Sequence, residues 1–472
     1  MAVELHIPAM PSIAAAAARF RCTGRAGQAR RWLLTSALLF GLAGCGGGGG
    51  GAPPAPQSCD APARKSALSL YFDDWYFWTR FSPKPAPSGN ASLDEYFLSL
   101  LYTGGDAAFP SDRWSFVDST VNFNRFYGEG RTLGYGLFVA GIEVAGRPDQ
   151  PLRVRYVEPQ SPAALSGLAR GDRILALNGR PVADVIQAND YAMLSSANAG
   201  ESLLVTLETP TGSRAVTLVS AVYDLVPVTS NRVLTSAGGR RVGYLLVKDM
   251  ITQAVQPVAN AMAAFRASGV NEFVLDLRYN GGGLVTVGRD IASQIAGSRG
   301  AGRTYTSLLY NDKRAFANNT SYSFDASAPG LNLPRVYIVV GERTCSASEQ
   351  LASALLPFME VVLVGRTTCG KPVGFLPHDD GCGSTTSAVN FESVNALGQG
   401  RYFDGLRPTC AASEDWSQPL GTAAEPMLAA ALRHADGAGC VAPAAGSRAQ
   451  ALSLRERARV VQEGERPAMI VR

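Results

Sequence analysis

The chain has 472 residues, too many for one ordinary hydrophobic core, so several domains are expected. Hydrophobic residues make up 46% and charged residues 17%, a globular composition rather than a disordered one. The formal charge of +4 arises from five arginines in residues 1–44 against the single acid Glu4; beyond them acids and bases balance, no basic stripe remains, and nucleic-acid binding is not expected.

Residues 30–45 read "RRWLLTSALLFGLAGC". Two arginines precede an apolar run that is short for a bilayer span and ends in small residues, the pattern of an export signal. Leu42, Ala43, Gly44 and Cys45 resemble a bacterial lipobox, which implies removal of residues 1–44, lipidation of Cys45 and an anchor in the cell envelope. A plain secretory signal with a chance cysteine is the alternative. Residues 45–65 are rich in glycine and proline and read as a flexible tether. Residues 66–130 hold "LYFDDWYFW" and "LDEYFLSLLYTGG", the second with apolar residues at roughly helical spacing, so a mainly helical region is expected. Residues 134–222 consist of short alternating runs bounded by Gly, Pro and Asn, which predicts a small β-domain. Over 238–440 strands alternate with helices, which predicts a parallel α/β layer. Residues 441–472 are rich in Ala, Arg and Glu and are expected to be poorly ordered. The expected fold is multidomain α+β.

In an exported chain the six cysteines beyond Cys45 are expected to form disulfides. Cys369–Cys382 and Cys410–Cys440 each close a short glycine-containing loop and are the pairs expected.

The stretch "TCSASEQLASALLPF" sets Ser346 among small residues at the start of an apolar helix, where a nucleophile could stand. A strand (335–340) leads into it, and a second strand (361–365) returns to the same edge with the turn "RTTCGK". The strand 272–277 ends in "RYNGGG" on that edge too. Ligand sites of open parallel sheets lie at the carboxyl ends of strands. Ser346, Lys371 and the triple glycine therefore converge. Lys371 is the expected base, provided its environment brings its pKa from ~10.4 to near 7. Pro372, Val373 and Phe375 are apolar neighbours suited to that. The backbone N–H groups of Ala347, Gly281 and Gly282 are candidate oxyanion donors.

These residues resemble the carboxyl-terminal processing peptidases, serine–lysine dyad enzymes whose catalytic part shows "SASE" (346–349 here), an apolar helix, a strand and "GK" (370–371). "LDLRYNGGG" (275–283) is similar to that family's "DLRxNxGG" segment. "SPAALSGLARGDRILALNGRPV" (161–182) resembles a PDZ domain. "YGLF" (Tyr135, Gly136, Leu137, Phe138) resembles the loop whose amides hold a substrate's terminal carboxylate. The resemblance implies a helical N-terminal region, a PDZ domain at 134–222 and a crotonase/ClpP-like catalytic domain at 238–440. It also implies peptide or protein substrates with free, apolar carboxyl termini, and no metal or cofactor. By it Ser346 is the nucleophile, Lys371 the general base and Glu349 a supporting acid. Phe375 stands where many members carry a glutamine, and Pro372 after the lysine is atypical. Three other readings remain open at this point. The chain could be an inactive PDZ peptide-binding lipoprotein, or a hydrolase whose base is His378 in "PHDDGC". Cys345 beside Ser346 could also be read as a cysteine nucleophile, though a disulfide fits it better. "HDD" at 378–380 has no partner cluster with metal-ligand spacing.

Overall fold

A computed structural model describes residues 55–89, 91–444 and 468–471. The signal segment, Cys45 and the tether up to residue 54 lie outside the described residues; the remainder of the expected 45–65 tether is tied down, with Cys59 in a disulfide and a helix starting at Ala61. No helix among those described is long and apolar enough to cross a membrane.

The chain enters through the helix Ala61–Trp75, started by Asp60, whose carboxylate accepts from Ala63 N–H at 2.9 Å. This start is five residues earlier than the periodicity predicts. The helix Leu93–Leu100 follows, closed by a reciprocal Ser92–Glu95 capping box. Tyr71, Phe72, Trp75, Trp78, Phe97 and Trp114 of this region are buried in the same core as Val258, Ile291 and Leu351 of the α/β region, so it has no core of its own. The short strand Phe116–Ser119 pairs with Ser384–Ser387, and Cys59 is bonded to Cys382. The expected Cys369–Cys382 pair is therefore wrong: Cys382 meets the N-terminal helix, and Cys369 is bonded to Cys345. Cys410 and Cys440 pair as expected.

The β-rich middle builds a sheet in the order 137–139, 152–157, 173–177, 202–209, 212–219, with the helix Val182–Ala188 beside it. Leu152, Val154, Ile174, Val185, Leu203 and Val205 close a separate core. Alternation along Ser202–Thr209, with Leu203, Val205 and Leu207 inward, is the half-buried strand pattern read from the sequence.

The α/β region has a sheet in the order 228–235, 241–247, 272–276, 335–340, 360–365, 410–411. All pairs but the first are parallel. Its strands are apolar on both faces because both are covered. Val242, Tyr244 and Leu246 pack on the helix Pro426–Ala435. Leu245, Val247 and Ile338 pack under the helices Val255–Ala267, Val285–Ala296 and Ala347–Leu355. A second sheet runs 282–284, 468–470, 373–375, 389–394, 304–310, 320–323. Its second member is a correction to the expected disordered tail. Ala468, Met469 and Ile470 form a fully buried strand, while residues 445–467 lie outside the described residues.

Candidate active site

Three turns meet at the carboxyl edge of the parallel sheet. The strand Arg335–Val340 delivers residues 341–345 and then Ser346, which caps the helix Ala347–Leu355. Ser346 is wholly buried and holds φ 62°, ψ −116°, a backbone state that a non-glycine residue adopts only when its surroundings enforce it. The enforcing contacts are local. Cys345 N–H donates to Asn280 O at 3.1 Å, and Ser346 N–H donates to Glu349 Oε2 at 2.8 Å.

The strand Glu360–Gly365 delivers Lys371 to the same edge. Its Nζ donates to Ser346 Oγ at 3.2 Å and stands 3.6 Å from the centre of the Phe375 ring. Lys371 has no exposed surface. Glu349 ties the two turns together. It accepts from Ser346 N–H on one side, and from Gly370 N–H and Lys371 N–H at 2.8 Å each on the other, with the Thr368 hydroxyl as a fourth donor. Burial pushes the Glu349 carboxyl above the usual carboxylate range, although Thr368 and the three backbone donors oppose that rise. The Cys345–Cys369 disulfide adds a covalent tie between the same two turns, one residue before Ser346 and two before Lys371. That pairing gives Cys345 a structural role, not that of a nucleophile.

The glycine turn is anchored by Asn280. Its Oδ1 accepts from Gly282 N–H and from the Ser348 hydroxyl, both at 2.8 Å. Gly282 N–H is thus already used, which corrects its place among the oxyanion donors. Among the described residues, Gly281 N–H and Ala347 N–H have no acceptor. Ala347 is the first residue of its helix, where N–H groups are unpaired by geometry and the helix dipole is positive. Gly282 must be glycine: its φ is +101°, and an added Cβ would lie 2.8 Å from Ala347 N and 2.9 Å from Cys345 O.

His378 is not brought to Ser346; it stacks on Tyr71, ring centres 4.9 Å apart, against the N-terminal helix. Tyr135, Gly136, Leu137 and Phe138 are all buried. Tyr135 and Leu137 fill the core of the β-domain, whereas Phe138 packs with Tyr156 and Tyr279. Tyr279 lies in the turn that leads to the triple glycine. Three links between the β-domain and the site were not foreseen. Arg343, three residues before Ser346, pairs with Glu143 at 3.1 Å. Arg170 bonds Glu414 at 2.8 Å and the Tyr279 hydroxyl at 2.6 Å. Lys248 lies buried between Glu158 at 3.5 Å and Asp249 at 3.3 Å. Arginines and acids at loop positions gave no sequence signal, because only the packed domains decide their partners.

A strand–turn–helix serine facing a buried lysine, beside a separate β-domain, defines a class: a peptidase-type α/β domain with an attached peptide-binding module. Residues 241–399 match the model of peptidase family S41, and residues 153–209 match that of a PDZ domain, so the chain carries an S41-type peptidase domain and a PDZ domain. Its relatives are carboxyl-terminal-processing proteases. It is 26% identical over 268 residues to the protein of that name from Picosynechococcus sp., covering 55% of this chain and 62% of the relative. To the Synechocystis sp. protein it is 29% identical over 258 residues, covering 54% and 58%. The chain thus spans about three-fifths of the length of these curated relatives. The crystal structure of a Bacteroides fragilis protein named for the S41 proteases superposes with a TM-score of 0.61 at 26% identity, covering 79% of this chain and 97% of that one.

Proposed function

We propose that this protein is a serine endopeptidase of the cell envelope that uses a Ser346–Lys371 dyad and selects proteins by apolar carboxyl termini bound to its PDZ domain. The observation that carries the reading is the enclosed 3.2 Å contact between Lys371 Nζ and Ser346 Oγ, with two unused N–H donors, Ala347 and Gly281, beside it. In the reaction, Ser346 Oγ attacks the peptide carbonyl and Lys371 accepts its proton. The oxyanion takes hydrogen bonds from Ala347 N–H and Gly281 N–H. Lys371 then gives the proton to the departing amine, and water hydrolyses the acyl-serine by the reverse route. Glu349 touches no reacting atom; it positions both turns.

The names of the relatives support the choice of carboxyl-terminal substrates. The Arg343–Glu143 pair supports a gating role for the PDZ domain, since a peptide that moves Glu143 pulls on the turn that carries Ser346. Three disulfides support an oxidising compartment, and the "LAGC" stretch supports an anchor at Cys45.

The test is cleavage of an unfolded protein with an apolar carboxyl terminus. Wild type and His378→Ala should cleave; Ser346→Ala and Lys371→Ala should not. Activity in Lys371→Ala together with loss in His378→Ala would overturn the dyad. Deleting residues 134–222 should abolish the preference for tailed over untailed substrates; an unchanged preference would remove the PDZ domain from selection. Cys45→Ser should move the protein from the membrane to the soluble fraction.

A further inference from the structure

The strand Ala468–Ile470 lies between the two walls of the candidate active site. On one side it pairs in parallel with Gly282–Leu284, the strand that continues the glycine turn. On the other it pairs with Phe375, on the strand that follows Lys371. Ala468 N–H donates to Gly281 O at 3.0 Å, and Val471 N–H donates to Phe375 O at 3.1 Å. The space a Cβ at Gly282 would fill is 2.2 Å from Ala468 O and 2.8 Å from Ala347 N. This segment therefore bonds Gly281, lies against Gly282 and bonds the residue whose ring covers the lysine. Met469 reaches the serine helix itself, accepting from Gln350 Nε2 at 3.3 Å.

A peptide substrate has few routes to such a site. Its carbonyl must reach Ser346 Oγ and the N–H groups of Ala347 and Gly281, and the flanking backbones are the strands 282–284 and 373–375. Extended peptides commonly bind by adding a strand between open edges. Withdrawing Ala468–Val471 would expose two such edges facing each other, one continuing the glycine turn and the other following Lys371. The occupying sequence Ala-Met-Ile-Val is apolar, the same chemistry as the proposed substrates. It is also a strand of only three residues, so its withdrawal breaks few ladder hydrogen bonds, although its side chains are buried.

We propose that Ala468–Val471 is a built-in plug: it fills the strand position of the substrate, and an apolar peptide must displace it before cleavage. The plug rests on the peptidase reading above, and the experiment separates the two. The probe is a fluorescein-labelled peptide Pro-Ala-Met-Ile-Val-Arg, followed by anisotropy on Ser346→Ala protein, either the full chain or the chain lacking residues 467–472. The truncated chain should bind the probe about tenfold more tightly if the open state holds about a tenth of the full chain. With Ser346 restored, truncation should raise the cleavage rate at low substrate by a similar factor, and the unlabelled peptide should compete the gain away. Hydrogen exchange on the full Ser346→Ala chain needs no truncation: the amides of residues 468–471 should exchange faster when the peptide saturates the protein. Exchange that is unchanged by the peptide would overturn the plug. So would a truncated chain that melts lower and is not rescued by the peptide, because the strand would then be a fixed part of the sheet. Probe binding on truncation without cleavage by any form would keep the plug and sink the peptidase. Equal cleavage by both forms would sink the plug alone.

Discussion

Glu349 sits at the junction of two demands. Its four donors require an acceptor-only carboxylate, while its burial resists charge. Glu349→Gln keeps the volume but turns one oxygen into a donor that faces donors. We expect a loss of about 2 kcal/mol from the unsatisfied buried groups. We expect about a 100-fold fall in kcat, because a small shift of Ser346 against Lys371 is enough for that. Denaturant melts and single-turnover rates would check both, and a fully active Gln variant would remove Glu349 from the positioning role. Gly282→Ala is the harsher change. The new methyl would meet backbone atoms of residues 345, 347 and 468, none of which can rotate away, and the φ of +101° is unsuited to alanine. About 3 kcal/mol of stability should go, measured by equilibrium unfolding.

Three short elements hold Ser346 and Lys371: the serine turn, the lysine turn and the glycine turn. The first two were legible in the sequence because strand, helix and strand follow one another within 335–371, and their lengths return Lys371 to the edge where Ser346 starts. Phe375 was legible as an apolar neighbour of the lysine. The Cys345–Cys369 bond was not, since loop size favoured Cys382 and only the meeting of the turns shows the real partner. The strand Ala468–Ile470 was equally hidden: three apolar residues carry no period, and their partners lie far upstream. The disulfide yields its own prediction. Closing a loop with a sequence separation of 24, it should contribute about 3 kcal/mol. In the double variant Cys345→Ala/Cys369→Ala the fold should survive on its remaining contacts. The two turns would then lose their covalent tie and keep hydrogen bonds, among them those to Glu349 and the one from Cys369 N–H to Thr344 O, so kcat should fall about tenfold with KM unchanged. A drop in stability alone, with kcat intact, would show that the bond braces the fold and not the dyad.

At the scale of the whole molecule, the PDZ domain docks through charge buried in an aromatic setting. Glu158 is fully buried, and Lys248 lies between it and Asp249 beneath the rings of Phe138 and Tyr156. Burial drives the Glu158 carboxyl up to about 7, with Lys248 pulling the other way and Asp249 adding to the rise. Its folded pKa is thus above the unfolded 4.5, so the folded protein holds this proton more tightly than the unfolded chain does. The stabilisation is complete below 4.5 and is lost as the pH climbs through about 7; across that window it amounts to ~3 kcal/mol. Other carboxylates titrate in the opposite sense, such as Glu143, which the Arg343 guanidinium holds low against burial. The contribution of Glu158 must therefore be read as a difference. Glu158→Gln should gain on wild type by ~3 kcal/mol between about pH 5 and about pH 8, measured by denaturant unfolding at each pH. A constant difference would place the proton elsewhere. If ionised Glu158 loosens the docking, the same rise in pH should weaken the hold of Glu143 on Arg343, and with it the dependence of cleavage on a tailed substrate. Glu158→Gln should keep that dependence at the higher pH, and that outcome would tie the protonation of one buried carboxyl to the proposed selection of substrates.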